Sequence, residues 1–404
     1  MSDAINDEEA GGKNEPLVNN EGEVSKQKLL LYYGLTVGAV LLIVVIVFII
    51  AVLVGGSPKE NAKANSKFTL KYLSEEDTKG KLFGDSLKEY IASIKIDGNA
   101  QSVPDEFSFK KDKEYNVEIS LKKELTSMEN LFEKCTTLKE VDLSTLATTN
   151  VKTMKGLFSD CSNLETINLK NINTSKVESM ELMFYGCAKL KAVNLSNFQT
   201  SNVKNMKGMF LRCSSLESLD LSNFDTSNVE NMGMMFDNCI SLKSLNIKSF
   251  DTSKVTDMSY MFSSATVLNS IDLSKFNTKK VIKMNNMFSD CSALKSLNFE
   301  SFDTSNVENM NHMFSNCKSI KILTLDTFST PNVKSMDYIF ADCENLENLY
   351  IPKLSTKQLT TSEHLFDNIA EEGEIHYNSE LLNTELFKDT NIENWEKKDV
   401  IYPN

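Results

Sequence analysis

Phenylalanine stands at positions 132, 158, 184, 210, 236, 262, 288, 314, 340 and 366, and every interval is 26 residues. A fixed period of that size, kept without insertion, restricts the chain to a solenoid or a related array. Other residue types keep the same phase. Met recurs from 128 to 336, Thr from 148 to 356 and Val from 151 to 333. A single coil would leave its apolar edge wet, whereas stacking buries that edge against the next coil and turns each inward position into a ladder of like residues. Burying one large apolar side chain contributes roughly 1.5–3 kcal/mol. The ladders are therefore read as structure before they are read as function.

One unit shows the logic. Leu216, Leu219 and Leu221 fit a short strand with Asp220 pointing outward, because side chains alternate across a strand. The following Ser-Asn-Phe-Asp-Thr-Ser-Asn stretch is turn chemistry, in which short polar side chains bond neighbouring backbone. Val229, Met232, Met235 and Phe236 then recur at three-to-four spacing, which predicts a helical or 3₁₀ turn on the opposite wall. The Thr ladder is expected to hydrogen-bond between coils.

Units such as 221–242, LSNFDTSNVENMGMMFDNCISL, and 302–320, FDTSNVENMNHMFSNCKSI, resemble the BspA-family leucine-rich repeat surface proteins. The resemblance runs over about 122–370. It implies an α/β-type leucine-rich repeat solenoid, right-handed, with a parallel strand face. It also implies a non-enzymatic cell-surface protein of bacteria or protists, associated with adhesion to host or matrix proteins and to other cells. The unit departs from ordinary leucine-rich repeats by placing Phe198, Phe224, Phe250 and Phe276 where Asn or Cys is usual. The family carries no catalytic residues to transfer.

The organisation along the chain follows from composition shifts. Residues 29–54 contain no charged side chain, and about 20 apolar residues suffice to cross a bilayer core. They read as a single transmembrane helix retained as a signal anchor; a cleaved signal peptide is the rival reading, disfavoured by the long polar stretch ahead of it. The acidic tail 1–28 is expected to be disordered and cytoplasmic, and 55–66 to be a flexible stalk. Residues 67–121 read as a β-rich N-terminal cap, 122–370 as the solenoid and 371–404 as a C-terminal cap, with Trp395 plugging the open end of the core. The resulting expectation is a single-pass membrane protein whose solenoid is extracellular.

The chain of 404 residues has a net charge of −13 and one arginine, Arg212. That balance disfavours nucleic acid, which recruits basic patches. No Gly-rich phosphate loop, His-based dyad or paired-carboxylate signature is present, so no enzyme activity and no cofactor are expected.

All eight cysteines, from 135 to 343, lie in one phase of the repeat, with Ala265 filling the single gap. Three readings compete: metal binding, disulfides between neighbouring coils, and free thiols packed as small buried side chains. Metal binding is disfavoured because each Cys is alone in its coil. The gap splits the ladder into runs of five and three, both odd, which favours free thiols.

A partner is expected on outward ladder positions that vary from coil to coil. These are Lys191, Glu217, Lys243, Asn269 and Lys295, four residues after the Cys phase, and Asn194, Asp220, Asn246, Asp272 and Asn298, seven after it. Together they would form a continuous polar strand face able to bind an extracellular protein or cell-surface ligand; a merely solvated face is the plainer reading. Asp225, Asp251 and Asp303 hint at calcium, but Asn277 and Ser329 interrupt the row, so turn capping is the expected role. The competing functional class is a passive coat or spacer protein.

Overall fold

The computed structural model describes residues 66–380 and 392–400. All of them lie in one compact unit, Lys63–Asn404. Among the described residues no helix is long and apolar enough to cross a membrane. The span expected over 29–54, with the tail and stalk around it, lies outside them.

The architecture is a parallel β-solenoid of 26-residue coils. The Phe column from 132 to 366 is its spine. Its rings stack with centroids 5.4–6.0 Å apart and planes within 3–18°. Phe210, Phe236 and Phe262 are superposed and buried. The Val, Met, Leu and Cys phases pack around them.

Fourteen strands occur among the described residues: β1 (Lys67–Leu73), β2 (Thr78–Gly80), β3 (Ile91–Ile96), β4 (Asn99–Gln101), β5 (Phe107–Phe109), β6 (Glu114–Leu121), β7 (Leu138–Asp142), β8 (Thr166–Asn168), β9 (Ser218–Asp220), β10 (Ser244–Asn246), β11 (Ile322–Thr324), β12 (Asn348–Ile351), β13 (Glu374–Tyr377) and β14 (Glu396–Asp399). Residues ahead of the solenoid form antiparallel strands that join its first coil in one sheet, β4-β3-β6-β1-β7-β8. β1 pairs antiparallel with β7, which pairs parallel with β8. From β1, Phe68 sets its ring edge-on against Phe132, 5.9 Å away, and closes that end of the spine. At the far end Trp395 is 3% exposed and donates its indole N–H to the Ala370 carbonyl at 2.8 Å. Gly373 makes this possible: a Cβ there would lie 2.9 Å from the indole ring and 2.6 Å from the Glu347 carbonyl.

Two expectations are corrected. First, the wall opposite the strands is not helical. The only helical element among the described residues is a 3₁₀ turn, Asp85–Tyr90. The wall consists instead of linked tight turns. Leu157 N–H donates to Met154 and Cys161 N–H to Phe158, at 3.2 and 3.1 Å. Gly156 and Asp160, at the third position of those turns, have φ of +58° and +56°, the conformation a type II turn requires. Two left-handed residues per coil prevent a continuous α-helix. Alternate N–H groups point to the next coil rather than back along their own: Met128, Asn130, Phe132 and Lys134 donate to Thr153, Lys155, Leu157 and Ser159 at 2.7–3.0 Å. A parallel bridge ladder runs unbroken on this wall from Thr153 to Thr361.

Second, the strand wall is not continuous. Within the solenoid it comes in three pieces, β7-β8, β9-β10 and β11-β12-β13-β14. Its corner carries a second ring column. Phe198–Phe224, Phe276–Phe302 and Phe302–Phe328 stack at 6.4, 6.2 and 6.2 Å, beyond the ~4.8 Å spacing of paired strands. Each of these stacked pairs spans a gap in the ladder.

Candidate functional site

Most polar letters of the repeat are used between coils. Thr252 Oγ1 donates to the Asn277 carbonyl at 3.0 Å and accepts the Asn277 N–H at 2.8 Å. Thr278 does the same with Asp303, so the Thr ladder bonds between coils as expected. Asn223 donates to the Leu195 and Phe198 carbonyls of the preceding coil. Asp225, Asp251 and Asp303 accept the N–H of Ser227, Ser253 and Ser305 at 2.9–3.0 Å, which makes them turn caps.

The strand-face residues fall into two exposed or half-exposed columns. The column of Asn194, Asp220, Asn246, Asp272 and Asn298 caps turns. Each side-chain oxygen accepts a backbone N–H two residues on, from Ser196, Ser222, Lys248, Ser274 and Glu300. The hydroxyl and N–H of Ser274 hold the Asp272 carboxyl below the usual carboxylate range, and the Ser222 pair does so for Asp220. In the other column Glu217 and Lys243 pair at 3.1 Å. Lys191 and Lys295 are exposed, with no ion-pair partner among the described residues. Asp220 and Asn246 share the β9-β10 ladder, whereas Asn194, Asp272 and Asn298 lie on coils without one.

Sequence reasoning named no candidate site residue on the turn wall. Its first left-handed position holds Asn130, Gly156, Gly208 and Asn286 in some coils, residues suited to φ near +58°. In others it holds Leu182, Met234, Tyr260, His312, Tyr338 and His364. His312, Tyr338 and His364 form an outer ring stack at 4.7 Å spacing, and His364 Nδ1 lies 2.7 Å from Asp367. On the same wall the guanidinium of Arg212 lies over the Tyr185 ring, 6.0 Å from its centroid, and Nη1 donates to the Tyr185 hydroxyl at 3.4 Å. The available signal was Arg212 itself, the sole arginine.

The eight cysteines are free and buried. They do more than fill space. From Cys161 to Cys343, seven thiols donate to the carbonyl of the preceding coil's Phe, at 2.9–3.3 Å. Burial pushes the thiols up, those of Cys239, Cys291 and Cys343 to about 12, so they are poor nucleophiles at neutral pH. Among the described residues no group of three or more His, Cys, Asp or Glu is placed to hold a metal ion.

The arrangement defines a repeat protein whose accessible chemistry lies on two polar walls around a sealed core. The family model described as "Mycoplasma protein of unknown function, DUF285" matches residues 106–219, 213–321 and 287–391. Those segments take in most of the chain, which therefore belongs to that family. No curated protein matches. A similar solved chain is in the "Crystal structure of TLR13-ssRNA13 complex", at 15% identity and a TM-score of 0.23. The match covers 67% of this chain and 55% of that one. A score that low carries no argument about function.

Proposed function

We propose that this is a BspA-like leucine-rich repeat protein held at the cell membrane by residues 29–54. In this reading the N-terminus is cytoplasmic and the right-handed solenoid is displayed outside for adhesion or protein recognition. The observation that carries the reading is the contrast between fixed and variable positions. Inward columns repeat the same residue, while the outward strand-face column changes charge from coil to coil through Lys191, Glu217, Lys243, Asn269 and Lys295. Repeat proteins bind through such surfaces. The ligand would be an extracellular protein or a cell-surface molecule.

The capped column favours a second reading, a passive coat or spacer, because its Asp and Asn side chains already serve their own turns. Lys191 and Lys295 separate the two, since neither side chain caps a turn. Cells displaying the full chain should adhere saturably to host cells or matrix proteins, and Lys191→Glu with Lys295→Glu should weaken adhesion roughly tenfold, a loss of about 1.4 kcal/mol. Equal adhesion by the doubly reversed protein would leave the spacer reading standing. Protease added to intact cells should remove the solenoid; its survival would reverse the topology.

A further inference from the structure

We propose that the turn wall around Arg212 is a second docking surface, and that it takes a protein segment presenting an Asp or Glu side chain flanked by aliphatic residues. This goes beyond the strand-face reading and does not depend on it.

Arg212 is exposed and its guanidinium is held in place, lying over the Tyr185 ring and bonded to the Tyr185 hydroxyl. Among the described residues no carboxylate lies within ion-pair distance of it. On the same wall Lys155 is paired with Glu181 at 3.1 Å, so an acid can serve a cation there, and Arg212 lacks one. The acid in the next coil, Asp237, is nine-tenths buried and feels the Arg212 charge without reaching ion-pair distance, its hydrogen bonds going to other groups. Its Oδ1 accepts the Asn238 amide at 2.7 Å, and Ser263 also bonds it. What remains is a planar fork, pre-set on an aromatic ring and open to a carboxylate, which it can grip with two parallel bonds.

An aliphatic surface lies on the same wall. Leu182 reaches over Gly208, with its Cδ2 2.6 Å from where a Gly208 Cβ would be, and Leu211 flanks the same point at 3.5 Å. Leu182 and Leu211 are only half-buried. The backbone adds an independent argument. Leu182, Arg212 and Met234 hold left-handed φ of +55°, +60° and +59°, a conformation that costs an ordinary side chain roughly 1–2 kcal/mol. Coils bearing Gly156 or Asn286 at the Leu182 phase show that the fold does not require bulk there. Residues that break a local rule are concentrated at functional or strained positions, and the same phase carries bulk again at Tyr260, His312, Tyr338 and His364. Tyr and Arg are also among the side chains that dominate binding energy at interfaces.

The same features argue against a phosphate polymer. One guanidinium is no basic stripe, and the chain's net charge is −13.

The test is a random peptide library displayed on phage and panned on the full chain in detergent micelles, with parallel panning on Arg212→Lys, which keeps the charge and loses the fork. Lys191→Glu serves as the strand-face control. Enriched peptides should carry Asp or Glu beside Leu, Ile or Phe. Their binding should fall about tenfold on Arg212→Lys, fall on Tyr185→Ala, and be unchanged on Lys191→Glu. An unchanged thermal transition in Arg212→Lys establishes that folding is intact. Failure to enrich any sequence, enrichment of sequences without an acid, equal binding by Arg212→Lys, or displacement by inorganic polyphosphate would each overturn the proposal. Loss of cell adhesion with peptide binding intact would locate the failure on the strand face instead.

Discussion

On the strand wall, pairing between coils of the solenoid comes in three pieces; on the turn wall it runs unbroken from Thr153 to Thr361. Both walls are built from the same repeat, so the difference lies in what spaces the coils. Beside the turn wall the Phe spine stacks at 5.4–6.0 Å. Left-handed residues there turn alternate N–H groups toward the neighbouring coil. Beside the strand wall a second ring column stacks at 6.2–6.4 Å, and the coils it joins keep single backbone bonds, Glu217 N–H to the Lys191 carbonyl at 3.1 Å and Lys295 N–H to the Asn269 carbonyl at 3.3 Å, without a ladder. The wider ring spacing at that corner thus coincides with the breaks in the ladder.

The largest effect should come from the spine. Phe236→Ala removes a fully buried ring stacked on both faces and should cost about 3–5 kcal/mol. Ser244→Ala, at an exposed position of β10, should stay within about 0.5 kcal/mol. Chemical denaturation of the two variants checks the contrast, and comparable losses would break it. An intermediate effect is expected at Thr252→Val, which leaves the Asn277 N–H and carbonyl without their partner. A loss of roughly 1–3 kcal/mol should follow, read from the same titration.

The smallest effect concerns pH. Asp220 and Asp272 have carboxyls held below the usual range by Ser222 and Ser274. A group whose pKa is depressed by folding stabilises the native state above its unfolded value, near 3.9. That contribution is lost as pH falls through the folded value. Stability should therefore decline on acidification below about pH 4. Asp220→Asn with Asp272→Asn should flatten that decline, because Asn246 and Asn298 make the same cap without titrating. An unchanged pH profile in the double variant would show that these caps are not coupled to folding.

Much of this was legible in the sequence because one physical cause acts at every coil. The Phe, Val, Met and Thr columns each need a like neighbour one period away, so phase alone places them in the core or between coils. The turn wall was read as helical because Val229, Met232, Met235 and Phe236 have helical spacing. A contrary signal was present at the Cys-minus-one phase, where Asp160, Gly186, Asn238, Asp290 and Asn316 favour left-handed backbone. The gaps in the strand wall are a property of neighbouring coils, which no single unit encodes. The capping role of Asp220 and Asp272 was hidden for a related reason. An outward, variable polar residue looks the same in sequence whether it waits for a partner or bonds its own backbone. The Arg212 surface shows the reverse, since bulk at a left-handed position becomes visible only once φ is known.

The junction between β1 and β7 has a consequence for how many coils the protein has. A stack of identical windings carries no internal reason to stop, and an open end would recruit another chain to lengthen it into a filament. By running antiparallel to β7 and setting Phe68 edge-on against the first ring of the spine, β1 presents a surface that the next winding cannot copy. At the opposite end the charged sequence of β14, Glu-Lys-Lys-Asp, makes a poor template for further pairing. The array is thereby a counted object, finite by construction at both termini.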